Sequence, residues 1–63
     1  MEKTVEFMIK HIRSLQSAGR HSMAGEVIMA MEDMSQGGDG DGSRQYYKGW
    51  TDSMFSDVLA GIK

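Results

Sequence analysis

The chain contains no cysteine and no proline among its 63 residues. Without cysteine it can form neither a disulfide nor a thiolate zinc site, which agrees with a reducing compartment such as the cytoplasm. Without proline, nothing forbids long helices, because proline is the residue that removes an amide donor from a helix interior and clashes there. The two absences therefore permit long helices and leave self-association as the route by which so short a chain can be stabilised.

Long hydrophobic runs are also missing. No stretch of about 18 apolar residues is present, so the sequence predicts no membrane span. The opening Met1-Glu2-Lys3-Thr4 carries an acid and is followed by only a short apolar stretch, which does not fit a secretory signal peptide. We therefore expect a cytoplasmic protein with no membrane partner.

Positive charge is too sparse for a typical nucleic-acid binder. Seven Lys and Arg are scattered among nine acids, giving a formal net charge of −2, whereas nucleic-acid binders normally show a basic face. A helix–turn–helix centred on Gly19 would usually have a small residue four positions earlier and an apolar one just after it, and Leu15 and Arg20 stand there. A small DNA-associated regulator is therefore only the alternative function.

The residues needed for catalysis are not arranged in any recognisable motif. There is no cysteine nucleophile, no serine in a Gly-x-Ser-x-Gly context and no Gly-Lys-Ser/Thr ending of a phosphate-binding loop. Glu32 and Asp33 are adjacent along a predicted helix, so their side chains point in different directions. The sequence predicts no enzyme and no cofactor.

The two histidines do not form a metal motif. A metal-binding pair on one helix face needs a spacing of three or four residues, and His11 and His21 are ten apart. Helix-end interactions explain them better.

Residues 37–42 read Gly-Gly-Asp-Gly-Asp-Gly and invite a calcium interpretation. An EF-hand loop needs glycine at position 6 and a carboxylate at position 12. A register that starts at Asp39 puts Arg44 and Trp50 at those positions, and a register that starts at Asp33 puts Arg44 at position 12. We therefore predict a flexible, metal-free loop.

Apolar spacing predicts two helices before the loop. In a helix over about residues 2–18, apolar residues recur at intervals of three and four, and a second helix over about 23–35 repeats the pattern. We expect Gly19 to end the first helix and Ser22 to cap the second. The candidate packing or dimer seam comprises Val5, Met8, Ile12, Leu15, Val27 and Met34.

Two features of these helices leave alternatives open. Gly25 lies inside the second helix, where it is either tolerated or allows a close helix approach. Seven methionines suit either a soft core or an adaptable contact surface, and burial preference favours the core.

A third helix is predicted over about residues 43–62. Its start is open, because Thr51 could cap a helix that begins later. Tyr46, Tyr47 and Trp50 are the candidate partner contacts, since tyrosine and tryptophan are favoured at binding hot spots. The alternative for Tyr47 and Trp50 is simple packing on the hairpin, so Tyr46 is the better contact candidate.

Together these patterns predict one small all-α domain, a helical hairpin plus a third helical segment. A chain this short buries only about 60% of the surface exposed when it is unfolded. Small folds without disulfides or metals often self-associate, so we expect a homodimer. The function that fits best is a non-enzymatic protein-interaction module.

The chain resembles the very small accessory proteins of lambdoid phages that are encoded in the early region between the exonuclease and excisionase genes. The resemblance lies in the length of 63 residues and in an opening helix, Met1-Glu-Lys-Thr-Val-Glu-Phe-Met-Ile-Lys, that is followed by a glycine-rich break. It implies a protein that acts in the host cytoplasm on a host or phage protein. Its effect would be on host physiology or the choice between lysis and lysogeny.

Homodimerisation gives the first testable prediction. Sedimentation equilibrium at micromolar concentration should return about twice the monomer mass, because the short chain has no covalent means of completing its core. A folded species of monomer mass would contradict it.

Overall fold

The computed structural model describes residues 3–63, and within that range it contains three α-helices and no strand. Helix α1 spans Val5–Ser17, α2 spans His21–Ser35 and α3 spans Asp52–Gly61, with a 3-10 turn at Ser43–Tyr46. Each α-helix packs against the other two. The predicted all-α class is confirmed. Nowhere in the described range is a helix both long and apolar enough to cross a bilayer.

Helix α1 begins later than predicted. Thr4 is extended and serves as the N-cap, its Oγ1 accepting a hydrogen bond from the amide of Phe7 at 3.0 Å. A threonine in this position satisfies one of the amides that have no partner within the helix. The predicted start near residue 2 therefore gives way to Val5, and Met1 and Glu2 lie outside the described residues.

Gly19 ends α1 as predicted, with a positive φ of 75°. The amide of Arg20 donates to the carbonyl of Leu15 at 2.8 Å, and the amide of Gly19 donates to Gln16 at 3.0 Å. These two bonds form a Schellman motif, which satisfies carbonyls at the helix end.

Helix α2 starts immediately after this motif, so the predicted cap at Ser22 and start near residue 23 are wrong. Arg20 is the N-cap, without a side-chain hydrogen bond, and its carbonyl accepts from the amide of Ala24 at 3.0 Å. The Schellman motif leaves Arg20 in position to open the next helix, which places Ser22 inside the first turn.

The end of α2 repeats the same device at Gly37, whose φ is 88°. The amide of Gly38 donates to the carbonyl of Asp33 at 2.9 Å, and the Asp33 carboxylate accepts from the amide of Gly40 at 2.7 Å. Asp39 in turn accepts from the amide of Gly42 at 2.9 Å. The acids of the loop thus bond its own backbone.

Arg44 closes the loop from the far side. Its guanidinium donates to the carbonyls of Gly38 and Met34, both at 2.8 Å, and pairs with Asp52 at 3.3 Å. It also lies 5.3 Å from the centre of the Phe55 ring. Local side chains thus hydrogen-bond residues 37–42 into a closed turn, while the predicted flexibility of this loop stays a prediction.

The predicted single helix over about 43–62 is also wrong. The chain makes a 3-10 turn, then breaks near Gly49, whose φ is 83°, and α3 starts only at Asp52. Gly49 adopts a left-handed conformation that is incompatible with a continuous helix. The later start with Thr51 as N-cap is the alternative that the structure confirms.

All three helices contribute to the core. The buried members of its main cluster are Met8, Ile12, Met31, Met34, Phe55 and Val58. Each such side chain contributes about 1.5–3 kcal/mol relative to exposure. The six predicted seam residues all lie inside the single chain, where Met8, Ile12, Leu15 and Met34 are buried and Val5 and Val27 are half-buried.

Two glycines and two methionines complete this description. Open space surrounds Gly25, so it is tolerated and does not serve a close helix approach. Gly61 does serve one, because a side chain there would collide with Ile9 of α1. Unlike the core methionines, Met29 is 70% exposed and Met23 is 48% exposed.

The Arg44 contacts generate a stability prediction. Arg44→Met keeps a long side chain but removes its hydrogen bonds to two carbonyls and its ion pair. We expect a loss of about 1.5–3 kcal/mol in the free energy of unfolding, measured by urea denaturation. Amide relaxation should show residues 37–42 becoming more mobile.

Arg20→Met is the matched control, since it removes the same charge from an exposed side chain whose guanidinium, among residues 3–63, donates only to the Met23 sulfur, at 3.8 Å. Equal stability of the two variants would contradict the proposed role of Arg44.

Candidate interaction site: the aromatic pocket

The three predicted partner-contact residues, Tyr46, Tyr47 and Trp50, line one surface pocket of about 400 Å³. We call it the aromatic pocket. It lies where the 3-10 turn leads into α3, and its full lining is Lys3, Gln45, Tyr46, Tyr47, Lys48, Gly49, Trp50 and Met54. The left-handed Gly49 turns the chain between the two tyrosines and the tryptophan.

An aromatic cluster forms the wall of this pocket. The Tyr47 and Trp50 ring centres are 5.1 Å apart, and both rings contact Phe55 of α3, at 5.5 Å and 4.9 Å. Tyr47 meets both neighbours edge to face, an arrangement that aromatic pairs favour. Because Phe55 is fully buried, the wall is anchored directly to the core.

Helix α1 and the residue before its cap hold the same wall from the other side. The Tyr47 hydroxyl donates to the Met8 sulfur at 3.9 Å, and the Trp50 indole donates to the carbonyl of Lys3 at 3.3 Å. The Lys3 ammonium lies 5.6 Å from the centre of the Tyr47 ring. Burial raises the pKa of the Tyr47 phenol above its ordinary value, because the phenolate is poorly solvated there.

Tyr46 is in a different situation. Its side chain is 65% exposed, whereas Tyr47 and Trp50 are half-buried. Packing within the chain therefore already buries much of Tyr47 and Trp50, as the alternative interpretation expected. Tyr46 is the ring that leaves most of its surface available to a partner. That Tyr46 contacts a partner stays a prediction.

Sequence reasoning did not anticipate the other residues of the pocket. Lys48 lies within the aromatic segment, so its proximity could have been read from the sequence. Lys3 is more than forty positions away and arrives only because α1 packs against α3. Met54 of α3, which follows Trp50 in the sequence, is half-buried and lines the pocket.

A second depression, of about 620 Å³, is larger but less suited to recognition. It is lined by Glu26, Met29, Ala30, Asp33, Gly40, Asp41 and Ser43. The Asp33 carboxylate at its edge already bonds the amide of Gly40. Within residues 3–63, no three His, Cys, Asp or Glu side chains converge in a way that could hold a metal ion. The aromatic pocket is the better candidate because its exposed ring has no such structural task.

No protein-family model, no curated protein and no solved structure matches this chain. The assignment of the site therefore depends on its geometry and chemistry.

The buried Tyr47 phenol generates a prediction about pH. Burial holds its pKa in the folded protein above the ordinary value of 10.0, so the folded state retains this proton at alkaline pH more readily than the unfolded state does. The corresponding stability is complete below pH about 10 and is lost as pH rises through the raised pKa. Urea denaturation between pH about 8 and 11 should show this decline.

Tyr47→Phe should lose less stability over that pH range than the wild type, because it has no buried phenol to ionise. Tyr46→Phe is the matched control and should retain the wild-type slope. Parallel pH profiles for the wild type and Tyr47→Phe would contradict the assignment.

Proposed function

We propose that this chain is a small non-enzymatic protein-interaction module that binds its partner through the aromatic pocket. The observation that carries the proposal is the position of Tyr46, a ring 65% exposed at a pocket whose other rings are fixed by packing. A rigid wall beside an exposed tyrosine lowers the entropy lost on binding. Tyrosine and tryptophan are also enriched among residues that dominate binding energy.

The chemistry of the lining supports binding over catalysis. Across the described residues, no side chain of the pocket is hydrogen-bonded to a carboxylate or a histidine that could serve as its base. The Tyr47 hydroxyl donates to a thioether sulfur, which is a poor proton acceptor. The two lysines and the exposed Tyr46 provide contacts and charge, which is what recognition requires.

Homodimerisation belongs to the same proposal, but with a different surface from the one expected. The predicted seam is already used in the core of one chain, whose accessible surface of 4289 Å² is near the roughly 4,000 Å² typical of a folded monomer of this size. A dimer would therefore bring together exposed apolar side chains such as Phe7 and Met23.

The resemblance to lambdoid phage accessory proteins supplies the biological setting of the proposal. The module would act in the host cytoplasm on a host or phage protein during early infection. By altering the behaviour of that protein, the module would influence host physiology or the choice between lysis and lysogeny.

A small DNA-associated regulator is the second candidate. The feature that favours it is the presence of Lys3 and Lys48 beside exposed aromatic surface, since single-stranded nucleic acids bind to positive charge and stacking rings. The net charge of −2 opposes it. Protein binding is therefore the better supported of the two.

A pull-down with matched variants tests the proposal. Wild-type protein, tagged after Lys63 and immobilised, is exposed to nuclease-treated bacterial lysate beside Tyr46→Ala and Met29→Ala. Both substitutions remove a large exposed side chain, but only Tyr46 lines the pocket. We expect a protein that the wild type and Met29→Ala retain and that Tyr46→Ala loses.

Equal retention by all three proteins would contradict the site. The pull-down is then repeated without nuclease. Recovery of DNA in place of protein by the wild type, and its loss with Tyr46→Ala, would favour the second candidate.

A further inference from the structure

The charged residues around the two depressions are segregated by sign. The charged side chains that line the aromatic pocket are Lys3 and Lys48, whereas Glu26, Asp33 and Asp41 line the larger depression. An acidic chain thus presents one small surface on which the charge is positive. A pocket of this kind selects a partner of opposite charge.

Within the described residues 3–63, no ion pair neutralises the positive charge of the two pocket lysines. Among residues 3–63, the ion pairs join Lys10 to Glu6 and Arg44 to Asp52, and neither pair includes Lys3 or Lys48. Asp52, the first acid after Trp50 in the sequence, pairs with Arg44 at 3.3 Å. Lys48 is exposed and available to an incoming anion.

We propose that the aromatic pocket binds an acidic peptide segment of the partner protein, with Tyr46 contacting its apolar atoms and Lys48 and Lys3 its carboxylates. This inference depends on the proposed function and specifies the partner. Two lysines match a segment with two or three carboxylates. The pocket volume falls in the range of about 300–1,000 Å³ that suits small ligands or a few side chains.

Charge also explains why a peptide fits better than a nucleic acid. A nucleic-acid strand carries a phosphate at every nucleotide and is held by several cationic contacts. On this chain such a strand would extend beyond two lysines onto a molecule of net negative charge. An acidic peptide can confine its charge to the pocket and continue with neutral residues.

The experiment uses three short synthetic peptides of matched length. In the first, glutamate alternates with leucine, and in the other two, glutamine or lysine replaces every glutamate. Binding to the full chain is followed by the emission of Trp50, the one tryptophan of the sequence, and by the amide shifts of Tyr46 and Lys48. We expect saturable binding of the glutamate peptide and about fivefold weaker binding of the glutamine peptide at low salt. Added salt should reduce that difference.

Charge reversal in the protein provides the sharper test. Lys48→Glu should weaken the glutamate peptide about tenfold and favour the lysine peptide instead. Lys63→Glu makes the same change in net charge, but Lys63 lines a separate depression with Gln16 and Leu59, so we expect it to bind like the wild type. Dispersed amide spectra verify that each variant is folded.

Equal affinity for the glutamate and glutamine peptides, or no binding of either, would overturn the inference. Tighter binding of an oligothymidine strand than of the glutamate peptide would replace it with nucleic-acid recognition. A partner lost in the pull-down with Tyr46→Ala, together with failure of the glutamate peptide, would leave the proposed function standing and reject only the acidic segment. Failure of both experiments would reject both proposals.

Discussion

The path of the chain after α2 depends on the Arg44 guanidinium. It donates hydrogen bonds to the carbonyls of Met34 and Gly38, one in the last turn of α2 and one just after it. It also pairs with the Asp52 carboxylate at the start of α3 and lies over the Phe55 ring. One planar cation with several donors can make all these contacts at once, which a lysine could not. Without that connection, the glycine-rich turn would lose the side chain that joins it to the start of α3.

The aromatic pocket is a direct result of this arrangement. Because the turn is closed and Gly49 redirects the chain, the segment before α3 folds back across α1 and α3 instead of continuing as a helix. Tyr47 and Trp50 then use their rings for packing and their polar atoms for bonds to Met8 and Lys3. Tyr46 is left on the outside. Tyr47 and Trp50 thus serve packing, whereas the adjacent Tyr46 is the ring for which we propose a role in recognition.

Local signals in the sequence predicted much of the fold. Interval patterns identified the buried side of α1, and Gly19 marked its end, because both depend on residues only a few positions apart. The cap of α2 was missed because a Schellman motif places the next helix start within the turn itself.

The closed turn was missed for a different reason. A run of glycines indicates a backbone with wide conformational freedom. The hydrogen bonds that close this turn come from Arg44, which follows the loop, and from Asp33, which precedes it. In the candidate site, the clustering of Tyr46, Tyr47 and Trp50 was evident from adjacency. Lys3 could not be anticipated, since only tertiary packing brings it there.

The methionines have a further consequence, because thioethers are oxidised according to their access to solvent. Met29 and Met23 would become sulfoxides well before Met31 and Met34, which have no exposed surface. The methionines of the chain therefore differ in their rate of oxidation, from fast at the surface to slow in the core. Mild peroxide would modify the outer methionines first and leave the packing of the core intact.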